Sequence, residues 1–174
     1  MEEYIIAVDE NDKELGPIEK MEAHEKGVLH RAFSIFIFNS KDQLLLQKRY
    51  SGKYHSGGLW TNTCCSHPRY KEKLEEAIYR RLKEEMGFTC ELTKLFSFCY
   101  KVNFENSLTE NEYDHVFIGT YDGEIVPNEN EVEDYKWIDI DEVKRDIKNN
   151  GHLYTFWFKS VLDKVIESYY LSKE

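Results

Sequence analysis

Apolar and polar residues recur along this chain with two different periods, and each change of period marks a boundary between elements. Tyr4-Ile5-Ile6-Ala7-Val8 reads as a first strand, followed by a polar turn and the stretch Leu15-Gly16-Pro17-Ile18. Between Arg31 and Phe38, residues Phe33, Ile35 and Ile37 fall on one face at strand spacing. Asn39-Ser40-Lys41-Asp42 supplies turn chemistry and Gln43 to Arg49 returns as a strand, which predicts a β-hairpin. Leu74, Ala77, Ile78, Leu82 and Met86 share one face of a helix, with Gly87 as its C-terminal cap. Phe88 to Cys90, Leu92 to Asn103, Glu110 to Tyr121 and the short Tyr135 to Ile138 read as strands. Asp141 is placed to cap a helix through Ile147, closed by Asn149-Asn150-Gly151. Trp157, Phe158, Val161, Leu162, Val165 and Tyr169 then recur at helical spacing, with Trp157 in a first turn that can face a cavity. This order predicts one domain over residues 1–174, an α/β (α+β) sandwich with a mixed β-sheet.

Some residues do not obey the pattern. Arg81 and Glu85 project into the middle of the apolar helix face, where burying unpaired charge is costly. Either they form an i, i+4 ion pair of modest worth, or both reach a polar cavity. Glu110 and Glu112 point the same way from one strand, and like charges so placed repel unless a cation or a proton intervenes. His24 and His30 meet only if the chain folds back through Gly27. Cys65 and His67 stand two residues apart just ahead of the helix, and Gly57-Gly58 lies in a loop before them.

Composition narrows the function. Hydrophobic residues at 41% and aromatics at 14% suffice for a sizeable core. A net charge of -10, from 33 acids against 23 bases, argues against a nucleic-acid or anionic-membrane surface. It leaves room for a small anion held by local cations. No long apolar run or cationic leader is apparent, and Cys64, Cys65, Cys90 and Cys99 have neither disulfide nor zinc-site spacing, so a cytoplasmic protein is expected.

Residues 66–88 fit the register of the Nudix box, G-x5-E-x7-R-E-U-x-E-E-x-G-U with U aliphatic, through Glu72, Arg80, Leu82, Glu84, Glu85, Gly87 and Phe88. Ser66 replaces its glycine and Arg81 its first paired glutamate. Thr61-Asn62-Thr63-Cys64-Cys65-Ser66-His67-Pro68 is more specific. With Lys20, His24, His30 to Ser34, Tyr100, Glu110-Asn111-Glu112 and Trp157 in order, the sequence resembles the type I isopentenyl-diphosphate isomerases of the Nudix superfamily. Where that family has aromatic-Pro-Gly before Trp60, this chain has Ser56-Gly57-Gly58, which predicts a more mobile loop.

The resemblance implies a Nudix-like α/β/α sandwich and transposition of a carbon–carbon double bond in a small diphosphate. It implies Cys65 and Glu112, the latter bonded to Tyr100, as the proton-transfer groups, with Trp157 facing a carbocation. It implies Lys20, Arg49, Lys53 and Arg81 as diphosphate contacts. His24, His30, His67, Glu110 and Glu112 would hold a divalent ion, Mn²⁺ or Zn²⁺ by their ligand chemistry. Glu85 would hold Mg²⁺ arriving with the diphosphate. A monomer or weak homodimer, with neither nucleic-acid nor membrane partner, is expected. The alternatives are a Nudix hydrolase using Glu84 and Glu85 for Mg²⁺, and a catalytically silent binding module.

Overall fold

The computed structural model describes residues 3–174. The first three strands are β1 (Tyr4–Val8), β2 (Glu14–Glu19) and β3 (His30–Phe38), with helix α1 (Lys20–Lys26) between the last two. There follow β4 (Gln43–Arg49), β5 (Trp60–Thr61), β6 (Cys64–Ser66) and helix α2 (Leu74–Met86). Strands β7 (Thr93–Asn103), β8 (Thr109–Thr120) and β9 (Val132–Asp139) precede helices α3 (Ile140–Asn150) and α4 (Phe156–Leu171). The sheet is mixed, as expected. β3 runs parallel to β8 from His30 opposite Glu112 to Phe38 opposite Thr120, whereas β7 with β8 and β4 with β9 are antiparallel.

Helices cover both faces. Ala77, Ile78, Leu82 and Met86 of α2 cluster with Phe33, Ile35, Ile37 and Leu45. On the opposite face Phe158, Val161, Leu162 and Val165 of α4 cluster with Phe36, Phe38, Leu44 and Leu46. The alternation along β3 thus divides its side chains between two cores, which is why nearly the whole strand is apolar. Among the described residues no helix is long and apolar enough to cross a membrane.

The predicted hairpin is largely prised open. β3 and β4 share one register pair, Phe38 with Leu44, and then part. Residues 60–66 enter the gap, β5 pairing with β4 and β6 with β3. Side chains replace the missing ladder. Thr63 Oγ1 accepts from Ile37 N at 3.0 Å and donates to Leu45 O at 2.7 Å, so it bridges the parted strands. Asn62 Nδ2 donates to Ile35 O at 3.1 Å, and Gln47 Nε2 donates to Thr63 O at 2.7 Å. Thr61, Asn62 and Thr63 are fully buried, and such polar burial is tolerable only because these bonds are made.

Other boundaries also differ. Helix α1 is too short and polar to show apolar periodicity; Glu19 caps it by accepting from Glu22 N at 2.8 Å, and Gly27, at φ 66°, ends it. Phe88 to Cys90 forms no strand, because Phe88 stacks on Tyr121 at 3.9 Å instead. Asp141 is not a cap but lies in the first turn of α3, whose N-cap is Asp139. Gly87 does end α2, at φ 78°, and a Cβ there would lie 2.3 Å from Val126 O. Gly87→Ala is expected to lower unfolding free energy by roughly 2 kcal/mol or more, from left-handed strain plus backbone collision. Urea denaturation checks this, and an unchanged midpoint would refute it.

Candidate active site

Four segments converge beside the start of β3. The turn at Gly27 folds α1 back so that the His24 and His30 rings lie 5.2 Å apart. The parallel pairing sets Glu112 opposite His30, and Glu110 two residues earlier points the same way. His67 arrives from the end of β6. His24 Nε2 lies 3.0 Å and His30 Nε2 3.2 Å from Glu110 Oε1, and His67 Nε2 lies 2.8 Å from Glu112 Oε2. All five are buried.

The donor set fits a divalent ion. His24 Nδ1–H donates to Lys20 O at 2.6 Å and His30 Nδ1–H to Val28 O at 2.8 Å. Carbonyls only accept, so Nδ1 carries the hydrogen and each Nε2 is turned to the centre. His30 Nε2 makes no hydrogen bond of proper geometry and is aimed between Glu110 and Glu112, 3.4 Å from the latter. His24, His30, His67 and Glu110 each present a ligand atom, all within 4.8 Å of one another. Burial opposes ionisation of His30, but the two glutamates outweigh it and hold its pKa at about 10. Burial pushes His67 down to about 4. Burial opposes ionisation of Glu110, yet hydrogen bonds from His24, His30 and His55 keep it well below the usual carboxylate range.

Next to this cluster lies a cavity of about 260 Å³, walled in part by Cys65, Tyr100, Trp157, Arg49, Lys53 and Arg81. Register places Cys65 opposite Ser34, so Cys65 and Glu112 reach the cavity from strands that flank β3 on either side. Desolvation pushes the Cys65 thiol up to about 12 against the pull of Arg49, whose Nη1 is 3.7 Å from Sγ. Tyr100 donates to Glu112 Oε1. The Arg49 guanidinium lies 5.2 Å from the centroid of the Trp157 ring.

Cations line the outer wall. Lys20 Nζ lies 4.9 Å over the Tyr54 ring. Lys53 and Arg81 both pair with Glu131, the latter at 3.4 Å. Arg81 and Glu85 do form the i, i+4 ion pair, at 2.8 Å, but only Arg81 of the two lines the cavity. Glu85 itself lies a layer deeper, only 3% exposed, with Gln47 Nε2 3.0 Å and Cys64 Sγ 3.5 Å away.

Sequence reasoning missed several neighbours. His55 binds Glu110 from the loop before Trp60. Asp114 continues the face of Glu110 and Glu112, a signal that was there to read. Its carboxyl accepts from Ser34 Oγ at 2.8 Å, and burial followed by the Glu112 charge raises its pKa well above normal. Glu131 gives no sequence signal, because only the fold brings it between Lys53 and Arg81.

The NUDIX domain profile matches residues 28–157. The solved structure of DR0079 from Deinococcus radiodurans is similar in fold, with TM-score 0.70 at 21% identity, covering 85% of this chain and 90% of that one. The chain therefore belongs to the NUDIX family. Within it, the chain belongs with the isopentenyl-diphosphate Delta-isomerases. It is 55% identical to isopentenyl-diphosphate Delta-isomerase 1 of Aromatoleum aromaticum, covering 95% of this chain and 94% of that one. It is 48% identical to the isopentenyl-diphosphate Delta-isomerase of Burkholderia multivorans, with 94% and 93% covered.

The protonated His30 generates a prediction. An ion taking its Nε2 must displace a proton, so metal affinity should rise as pH increases below about 10. Calorimetry at neutral pH in buffers of different ionisation enthalpy should show at least about one proton released per ion bound. Binding with no proton release would contradict this charge state.

Proposed function

We propose that this chain interconverts isopentenyl diphosphate and dimethylallyl diphosphate, shifting the double bond from the 3,4 to the 2,3 position. The observation that carries the reading is the pair Cys65 and Glu112 presented to one cavity beside a cationic wall. In the forward direction a proton is added to C4, leaving a tertiary cation at C3, and a proton is lost from C2. No atoms enter or leave overall. Because the reaction is reversible, each of the two proton-transfer groups must donate in one direction and accept in the other.

The residue types suit these tasks. Cys65 in its dry setting keeps its proton until a stronger base appears, and the thiolate is uncovered only when a proton has been given up. Glu112 is held below the usual carboxylate range although burial and the Glu110 charge oppose it, because His67 bonds it and His30 lies against it. Tyr100 bonds its other oxygen and so holds the carboxylate in one orientation. The Trp157 ring, 3% exposed, offers an aromatic face to the cation and excludes water that would trap it as an alcohol. Lys20, Arg49, Lys53 and Arg81 grip the diphosphate, with Glu131 holding two of these cations in the absence of an anion. His24, His30, His67, Glu110 and Glu112 would hold the divalent ion, Mn²⁺ or Zn²⁺, which when bound supplies positive charge that keeps both carboxylates ionised. Glu85 would serve Mg²⁺ accompanying the diphosphate once Arg81 turns to the substrate. Four free cysteines suit a reducing cytoplasm, where we place the reaction.

Proton NMR of the protein with isopentenyl diphosphate and Mg²⁺ in D₂O tests the reading. Dimethylallyl diphosphate carrying deuterium is the expected product. Release of phosphate without an alkene shift would move the chain to the hydrolases. Cys65→Ala and Glu112→Gln should each lower turnover by about a hundredfold to ten-thousandfold. Diphosphate binding and thermal unfolding should stay near wild type. Wild-type rates in either variant would remove that residue from proton transfer.

A further inference from the structure

His55 is the one histidine of the cluster that stands outside the compact set of ligand atoms, although it is 6% exposed and in direct contact with that set. Its Nε2–H donates to Glu110 Oε2 at 2.5 Å, while Glu110 Oε1 faces His24 and His30. A carboxylate left to rotate about its last torsion could exchange these oxygens, and His55 holds one of them. The imidazole is itself locked. It stacks on Phe104 with centroids 4.5 Å apart and planes inclined by 10°, and it meets the Trp157 ring edge-on at 5.8 Å.

The backbone of the same residue faces the other half of the site. His55 O accepts from Arg49 Nη2 at 3.4 Å. Lys53 lies two residues earlier on this loop, and the loop is closed at its base by Gly58 N donating to Arg49 O at 2.9 Å. Its path depends on Gly57, where a Cβ would lie 2.6 Å from Ser51 O. The loop carrying the proposed diphosphate contacts is therefore fastened to the ligand cluster through His55 and also through Tyr54, whose hydroxyl lies 3.3 Å from His24 Nε2.

We infer that His55 is a positioning residue: it orients Glu110 for the divalent ion and docks the loop 50–58 against the ligand cluster. This rests on the metal-site reading proposed above. An outer hydrogen bond to a ligating carboxylate typically changes metal affinity 10- to 100-fold on removal. The role needs a donor at the position of Nε2 and no metal ligation by His55 itself.

The test compares Mn²⁺ and Zn²⁺ affinity of the full-length metal-free chain by chelator competition, with thermal unfolding of the metal-free forms recorded alongside. His55→Phe keeps the ring stack on Phe104 and removes the donor; about 10- to 100-fold weaker binding is expected. His55→Gln replaces Nε2–H with an amide donor of similar reach and should recover affinity to within a few-fold of wild type. Equal affinity in wild type and His55→Phe would overturn the inference while leaving the metal site standing. A loss of similar size in His55→Gln would overturn it in favour of His55 as a direct ligand. If the wild-type chain binds neither ion, the metal-site reading falls and this inference with it.

Discussion

Two carboxylates held side by side away from water are the demand around which this molecule is arranged. Glu110 and Glu112 are 2% and 6% exposed, and each raises the cost of ionising the other. Removing two like charges from solvent is affordable only where donors and positive charge surround them. The donors come from separate parts of the chain: His24 on the seven-residue helix α1, His30 at the start of β3, His67 after β6, and His55 from a loop. Three of these four suppliers are short or irregular, so the cluster fixes those segments as much as they fix it.

The two halves of the site solve opposite electrostatic problems within one acidic protein. On the metal side, excess negative charge is gathered and then balanced. On the other side, Arg49, Lys53 and Arg81 gather positive charge that the net charge of -10 would not suggest. Lys53 pairs with Glu131, and Arg81 with Glu131 and Glu85. Between the halves stand Trp157, Tyr100 and Cys65, which join them: Tyr100 bonds Glu112, and Arg49 lies against both Cys65 and Trp157.

The parts of this design that follow a period were legible from sequence. The faces of β3 and α2, the shared direction of Glu110 and Glu112, and the cap at Gly87 all obey local rules that act over a few residues. What escaped depends on contacts between distant segments. The hairpin between β3 and β4 looked sound locally, but nothing in its own residues says that Thr63 will wedge it open. His55 and Glu131 carry no periodic signature; each matters only because the fold delivers it to Glu110 or to Lys53 and Arg81. Helix α1 was hidden because its partners are a metal-site glutamate and the Tyr54 ring, not an apolar core.

Arg81 shows how a box associated with hydrolysis can sit in an isomerase. In the Nudix box its position is a glutamate beside two more, a set whose charges call for metal. Here the guanidinium lies 2.8 Å from both Glu84 and Glu85, so their charge is answered by the protein itself. The helix therefore presents Arg81 to the cavity with Glu84 and Glu85 already paired to it. Across the cavity the imidazoles of His24, His30 and His67 and the carboxylate of Glu110 on β8 bring together donor atoms that could hold a divalent ion. The box helix of this chain thus neutralises its own carboxylates with Arg81, whereas those of β8 are met by imidazoles.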